Sequence, residues 1–279
     1  MIRIVTDSTA SLPPDWVKEY DINVVPLSVT FGQDTYREGV EMSSDAFYDR
    51  MRTSDQLPTT SQPAVGDFYN VYETLVANGD QVVSIHLSGK LSGTYNSAAQ
   101  AAAMLPSGDV TVVETEWIAM ALAFQVRAAA EAARAGQTAA EVVTTVQSLG
   151  AKLHLYLIVD TLENLKKGGR ISPAKAMIGG LLNVKPILAV EQGVVEPVEQ
   201  PRSKKAALRR LLEIMGTTVP YGSNLHVAFL HAQAMPELAE LDRMVSEKYV
   251  VAESILSEVG PTIGTHVGIG AVGIVYYPN

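Results

Sequence analysis

No cysteine occurs anywhere in the 279 residues. That absence excludes disulfides, thiolate metal ligands, iron–sulfur clusters and cysteine nucleophiles, and it leaves the redox compartment unread. Positive charge is also scarce: 21 Lys and Arg stand against 30 Asp and Glu, a formal net charge of -9. A field of that sign repels nucleic-acid backbones and anionic membrane surfaces, so no nucleic-acid partner is expected. A local basic cluster can still hold an anion, because physiological salt screens distant charges beyond ~8 Å. Long apolar runs are missing too. The alanine-rich segments are broken by charges or glycine before the ~20 residues a membrane span requires, so no integral span is expected and membrane contact would be transient. The opening MIRIVTDST enters an apolar run at once. It lacks the charged start, apolar stretch and small-residue cleavage site of a secretory signal, and a cytoplasmic location is the expectation.

What is present describes a folded chain: 47% hydrophobic and 18% charged residues without a long biased tract. The usual domain size of ~100 to 200 residues suggests two domains. Apolar β-type runs at Ile2–Val5, Ile22–Val29, Val82–Leu87 and Val110–Val113 alternate with helical patterns such as Ser43–Met51 and Ser97–Met104. This alternation predicts an N-terminal α/β domain over 1–159 with a mostly parallel sheet. The polar loops after Asp7, His86 and Glu114 then fall at the carboxyl edge of that sheet, where ligands bind. A helical run, Ala119–Leu149, and a strand, Leu153–Val159, follow. Beyond Asp160 the pattern changes to strands around a hairpin turn at Glu191-Gln192-Gly193, then a charged helix over Ser203–Met215. This predicts a C-terminal α+β domain over 160–279.

Four polar clusters stand out. In LSGKLSGTYNSA, Ser88 and Ser92 flank Gly89 and Gly93 just before a helix start at Thr94–Ser97, where free amides attract anions. The stretch has neither the P-loop spacing nor the dinucleotide fingerprint, which disfavours a nucleotide. Ser92 taken alone reads first as an ordinary helix cap or loop serine. In LPTTSQPA, Pro58 and Pro63 bracket Thr59, Thr60, Ser61 and Gln62. The prolines can present hydroxyls in a fixed array, or Ser61 can cap a helix whose first turn holds Pro63. In GPTIGTHVGIGAVG, glycines surround His266, a candidate donor to an anion, whereas His86 on an apolar strand reads as structural. His154, His226 and His231 have no assignable partner, and no histidine spacing supports a metal. In LKKGGRISPAKA, Lys166, Lys167, Arg170 and Lys175 surround a Gly-Gly turn, either as a solvated helix end or as a patch for an anionic partner or phosphate.

In order and spacing, VTDSTASLP, TTSQPA, LSGTYNSA, GGRIS and GPTIGTHVGIGAVG resemble the DegV family of fatty acid-binding proteins across nearly the whole chain. Ser11 stands where that family usually has Asp, Glu114-Thr115 where Asp-Ser is usual, and Ile269 where Pro is common. The resemblance implies a two-domain α/β protein with a lipid tunnel between its domains. It implies one long-chain fatty acid as ligand, no cofactor, and a carboxylate held by Thr60 or Ser61, by Ser92 with the Gly93 and Thr94 amides, and by His266. It further implies a carrier that presents its ligand to a separate ATP-binding fatty acid kinase subunit, with Arg170, Lys166 and Lys167 meeting that partner or the phosphate. Two other readings compete: a Ser-dependent lipid hydrolase using Ser92 and His266, and a regulator that senses small acids.

Overall fold

The computed structural model describes residues 1–106, 108–171 and 184–279, so Lys175 lies outside the described residues. In chain order the strands are β1 (Ile2–Asp7), β2 (Asn23–Val25), β3 (Ser28–Phe31), β4 (Asp34–Arg37), β5 (Thr59–Ser61), β6 (Gln81–His86), β7 (Val110–Glu114), β8 (His154–Ile158), β9 (Ile187–Glu191), β10 (Val194–Glu199), β11 (Asn224–His231), β12 (Val250–Glu258) and β13 (Val272–Pro278). One sheet has the order β2-β1-β6-β7, with every pair parallel. Crossover helices cover such a sheet on both faces, which is why β6 is buried along all but its first residue. The chain leaves β1 towards β2 on one side and later returns to β6 on the other. A crevice therefore opens between the carboxyl ends of β1 and β6.

A six-stranded sheet, β10-β9-β8-β13-β11-β12, is antiparallel except for β11 with β12. From its sequence the run Leu153–Val159 is expected within the N-terminal domain, before a boundary at Asp160. The structure instead pairs β8 with β9 and β13, so this strand belongs to the second sheet and the change of sheet precedes it. A chain pattern marks where a strand lies and not which sheet it joins. The run Ile22–Val29 is also divided: Pro26, which has no N–H for a ladder, separates β2 from β3, and β3 joins a small antiparallel sheet β4-β3-β5. The helical run 119–149 is two helices, Met120–Arg134 and Ala139–Gly150, the second opened by a Thr138–Glu141 capping box. The hairpin between β9 and β10 forms as expected, with positive φ at both Gln192 and Gly193. The charged helix runs over Lys204–Thr218, capped by Ser203.

Helix Met120–Arg134 carries the central packing. Residues 120–126 are all buried, because the helix lies between β1 of one sheet and β13 of the other. Its many alanines let the flanking layers approach closely. The next residue, Arg127, stacks over Trp16 and binds Glu253 of β12 through both terminal guanidinium nitrogens, Nη2 at 2.8 Å, which ties the first half of the chain to the edge of the second sheet.

A fully buried polar chain secures the crevice. Tyr72 donates to Ser84 Oγ at 2.7 Å, Ser84 lies 2.7 Å from His86 Nε2, and His86 Nδ1 lies 2.9 Å from Asp7 Oδ2. With Ser84 donating to Nε2, Nδ1–H is left for the carboxylate. Asp7 also accepts the Leu87 and Thr9 amides and the Thr9 hydroxyl. All these side chains are closed to solvent, so the Ser–His–Asp order here holds β1 and β6 together and meets no substrate. Asp7→Ala strands several buried donors at once and is expected to lower unfolding free energy by at least ~3 kcal/mol, read as a fall in denaturant midpoint. A midpoint within error of the parent would contradict this role.

Candidate functional site: an apolar cavity with a polar mouth

Between the two sheets lies a cavity of about 340 Å³. Leu87 and Ile118 wall it from the first half of the chain, and Leu155, Val190, Leu230 and Val272 from the second sheet. Strand alternation explains the division of β8: Leu155 and Leu157 face the cavity, while Tyr156 and Ile158 turn into the core behind. The β9–β10 hairpin closes one side, its tip held where Ser88 Oγ donates to Gly193 O at 2.7 Å. Against these aliphatic walls, the lining side chains Thr60, Ser61, Gln62, Ser92, Arg170 and His266 are polar. Ser61 and Gln62 are exposed, so this polar end opens to solvent.

These polar groups arrive on several elements. Thr60 lies on β5, where the sequence allowed a helix entry capped by Ser61. The small sheet takes these residues instead, pairing Thr60 with Val29, and the next helix, Val65–Ala77, starts after Ala64. His266 was expected in a Gly-rich loop. It occupies the last turn of a short helix, Pro261–Val267, which Pro261 opens with a preset φ. The following Gly268–Gly273 has the spacing of the dinucleotide fingerprint, but it leaves a helix and enters β13, the reverse of the strand-to-helix context that such binding needs. Thr60 Oγ1 and His266 Nε2 meet at 2.9 Å.

The GGR turn packs directly against this imidazole. A Cβ on Gly168 would sit 2.3 Å from His266 Nδ1, so only glycine allows the approach. Nδ1 itself is buried without a hydrogen-bond partner. Arg170 turns inward, donating from Nε to Leu91 O at 3.2 Å and from Nη1 to Gly168 O at 2.5 Å. Lys166 and Lys167 are exposed and do not line the cavity, so the structure separates Arg170 from the lysines with which the sequence grouped it. Ser92 Oγ lies 2.8 Å from Thr94 Oγ1 and accepts the Thr94 amide at 3.3 Å. The Thr94 N–H is thus engaged by Ser92, and the cavity lining includes Ser92 but neither Gly93 nor Thr94.

Burial, helped by the Arg170 charge, pushes the His266 pKa down to about 4. The imidazole is therefore neutral near pH 7, and the positive charge at the mouth is that of Arg170. His266 Nε2 engages Thr60 and not Ser92, and no carboxylate orients its Nδ1 among the described residues, so a Ser92–His266 nucleophile pair is not assembled. Among the described residues no side-chain cluster is arranged to hold a metal, and no helix is long and apolar enough to cross a membrane. Gln62, named in the Pro-bracketed cluster without a role, and His231, which the sequence leaves without a partner, also line the cavity, His231 at the end of β11.

Fold and site together define a two-domain α/β protein that encloses an apolar cavity with a polar mouth. The DegV family profile ("Uncharacterised protein, DegV family") matches residues 1–279. The chain belongs to the DegV family. It is 38% identical to Protein DegV of Bacillus subtilis, with 98% of each chain covered. It is 40% identical to a DegV domain-containing protein of Streptomyces coelicolor, covering 98% of this chain and 97% of the other. Among solved structures it is similar to a DegV family protein from Thermus thermophilus described by its fatty acid binding, with 35% identity, 100% and 99% coverage and a TM-score of 0.93. It is also similar to the B. subtilis DegV, described as a fatty acid binding protein, with 37% identity, 100% and 99% coverage and a TM-score of 0.90.

The lowered His266 pKa sets a stability dependence on pH. Between about 4 and the ordinary value of 6.5 the unfolded chain binds a proton that the folded chain refuses, so stability falls as pH falls through this window. The full effect is on the order of 3 kcal/mol. His154 and His231, also lowered by burial, act in the same direction. Denaturant midpoints at pH 7.0 and 4.5 should therefore differ less in His266→Gln than in the parent. Equal pH dependence in the two proteins would contradict a buried neutral imidazole.

Proposed function

We propose that this chain binds one long-chain fatty acid between its two sheets, with the carboxylate at the mouth and the acyl chain along the aliphatic walls. One observation carries the reading: Thr60, Ser61, Gln62, Ser92, Arg170 and His266 line the cavity together, with Ser61 and Gln62 exposed, while the rest of the lining is aliphatic apart from Thr262, His231 and Gly273. A carboxylate leaving water needs several donors, and a guanidinium with hydroxyls supplies charge-assisted ones. The tail needs only apolar contact. About 15 buried methylenes at ~0.8 kcal/mol each give ~12 kcal/mol before the costs of association. The relatives from T. thermophilus and B. subtilis, described as binding fatty acids, support the same ligand class.

The chain acts as a carrier. An exposed mouth leaves the carboxylate reachable by a separate ATP-dependent kinase subunit, and the exposed Lys166 and Lys167 beside it suit an acidic partner surface. Acyl phosphate formation belongs to that subunit, and this role fits a cytoplasmic protein.

Competition at neutral pH between a free fatty acid and its methyl ester tests the reading. The acid should bind more tightly, because the ester carries no charge for Arg170. Ser92→Ala, His266→Ala and Arg170→Ala should each weaken the acid by ~1.5 to 3 kcal/mol, the worth of a hydrogen bond to a charged group. Equal affinity for acid and ester, or ester turnover by the purified chain, would overturn the proposal. With the kinase subunit and ATP present, Lys166→Ala/Lys167→Ala should keep its fatty acid and slow acyl phosphate formation, most visibly at low salt. Full turnover in that variant would leave the two lysines as a solvated helix end.

A further inference from the structure

The mouth is assembled from separate sheets, and Glu38 joins them. Glu38 follows β4, and its amide donates to Leu27 O at 2.9 Å. Its side chain is 6% exposed and accepts Ser8 Oγ at 2.6 Å, Thr262 Oγ1 at 2.7 Å and the Thr262 amide at 3.2 Å. Ser8 in turn accepts the Leu27 amide at 3.0 Å. Thr262 lies in the first turn of helix Pro261–Val267, whose last turn carries His266. The small sheet therefore grips this helix at both ends, through Glu38 at Thr262 and through Thr60 at His266. A helix held at one end alone can slide or rotate, whereas two anchors fix the position of the imidazole. The chain also leaves room for the carboxylate, since a Cβ on Gly260 would lie 2.2 Å from Glu38 Oε1.

We propose that Glu38 is a positioning residue for ligand recognition: by holding Thr262 it fixes the helix that presents His266 Nε2 to Thr60 and the mouth. The ligand part of this inference rests on the fatty acid reading above; the positioning part does not.

The test compares Glu38→Ala, Glu38→Gln and Gly260→Ala with the parent. Gly260 has an ordinary φ of -71°, so alanine is tolerated by the backbone while its methyl displaces the carboxylate. Two readouts are taken: the affinity ratio of octadecanoic acid to its methyl ester, and the ¹⁵N shifts of the His266 ring in ligand-free protein. Glu38→Ala and Gly260→Ala should lower the ratio by about tenfold, the equivalent of one lost charge-assisted hydrogen bond, and should shift the Nε2 signal. Glu38→Gln, which keeps one acceptor oxygen for Thr262, should recover part of both. Arg127→Ala, which weakens the fold away from the cavity, should change neither. Should Glu38→Ala not fold, the other two variants carry the same comparison. An unchanged ratio and an unchanged ring signal in folded variants would overturn the inference. If the parent itself shows no preference for the acid, the fatty acid reading fails, and the ring signal still decides whether Glu38 positions His266.

Discussion

One hydrogen bond joins residues 206 positions apart, and the mouth of the cavity depends on it: Thr60 Oγ1 to His266 Nε2. Thr60 is fixed by a three-stranded sheet and His266 by a short helix after β12, so neither partner is set by its near neighbours in sequence. The contact orients the imidazole. The opposite nitrogen is pressed against Gly168, which places the turn that carries Arg170 within the same site. A hydroxyl, a neutral imidazole and a guanidinium thereby converge, with no counter-charge between them among the described residues. Such a set is suited to an anion and poorly suited to nucleophilic catalysis, which needs a base with an orienting carboxylate.

The rest of the fold keeps that set open at one end of a largely apolar cavity. Parallel strands bring two polar loops to one sheet edge, and Asp7 locks the ends of β1 and β6 together. Helix Met120–Arg134 separates the two sheets with small side chains. The second sheet supplies aliphatic walls from β8, β9, β11 and β13. Burial has an electrostatic consequence: the same desolvation that lowers the His266 pKa strengthens any charge-assisted bond made at Arg170.

Much of this was legible in the residues. Apolar runs alternating with helical patterns gave the parallel sheet, and Glu191-Gln192-Gly193 gave the hairpin, because those signals are local. Thr60, Ser61, Ser92 and His266, which line the cavity, stand out in the sequence for a related reason, because hydroxylated and glycine-rich stretches are conspicuous, whereas the sequence assigns Arg170 to a partner or phosphate rather than to the cavity. What depends on distant pairing was not legible. β8 went to the wrong sheet, since its sequence is equally apolar in either. The inward turn of Arg170, away from Lys166 and Lys167, follows from carbonyls at Leu91 and Gly168 that no spacing reveals. Aliphatic liners such as Leu155 and Leu230 look like any core residue, and Glu38 sits in an ordinary hairpin exit until Thr262 comes to meet it.

Whether the space between the sheets holds a single carboxylate-headed chain is decided by mass spectrometry of lipid extracted from the purified, natively folded protein, quantified against protein concentration. A fatty acid site gives free long-chain fatty acid, approaching one molecule per chain after incubation with a fatty acid mixture. Recovery of neutral lipid or intact ester in its place, or a protein that stays empty in the presence of free fatty acid, would contradict it.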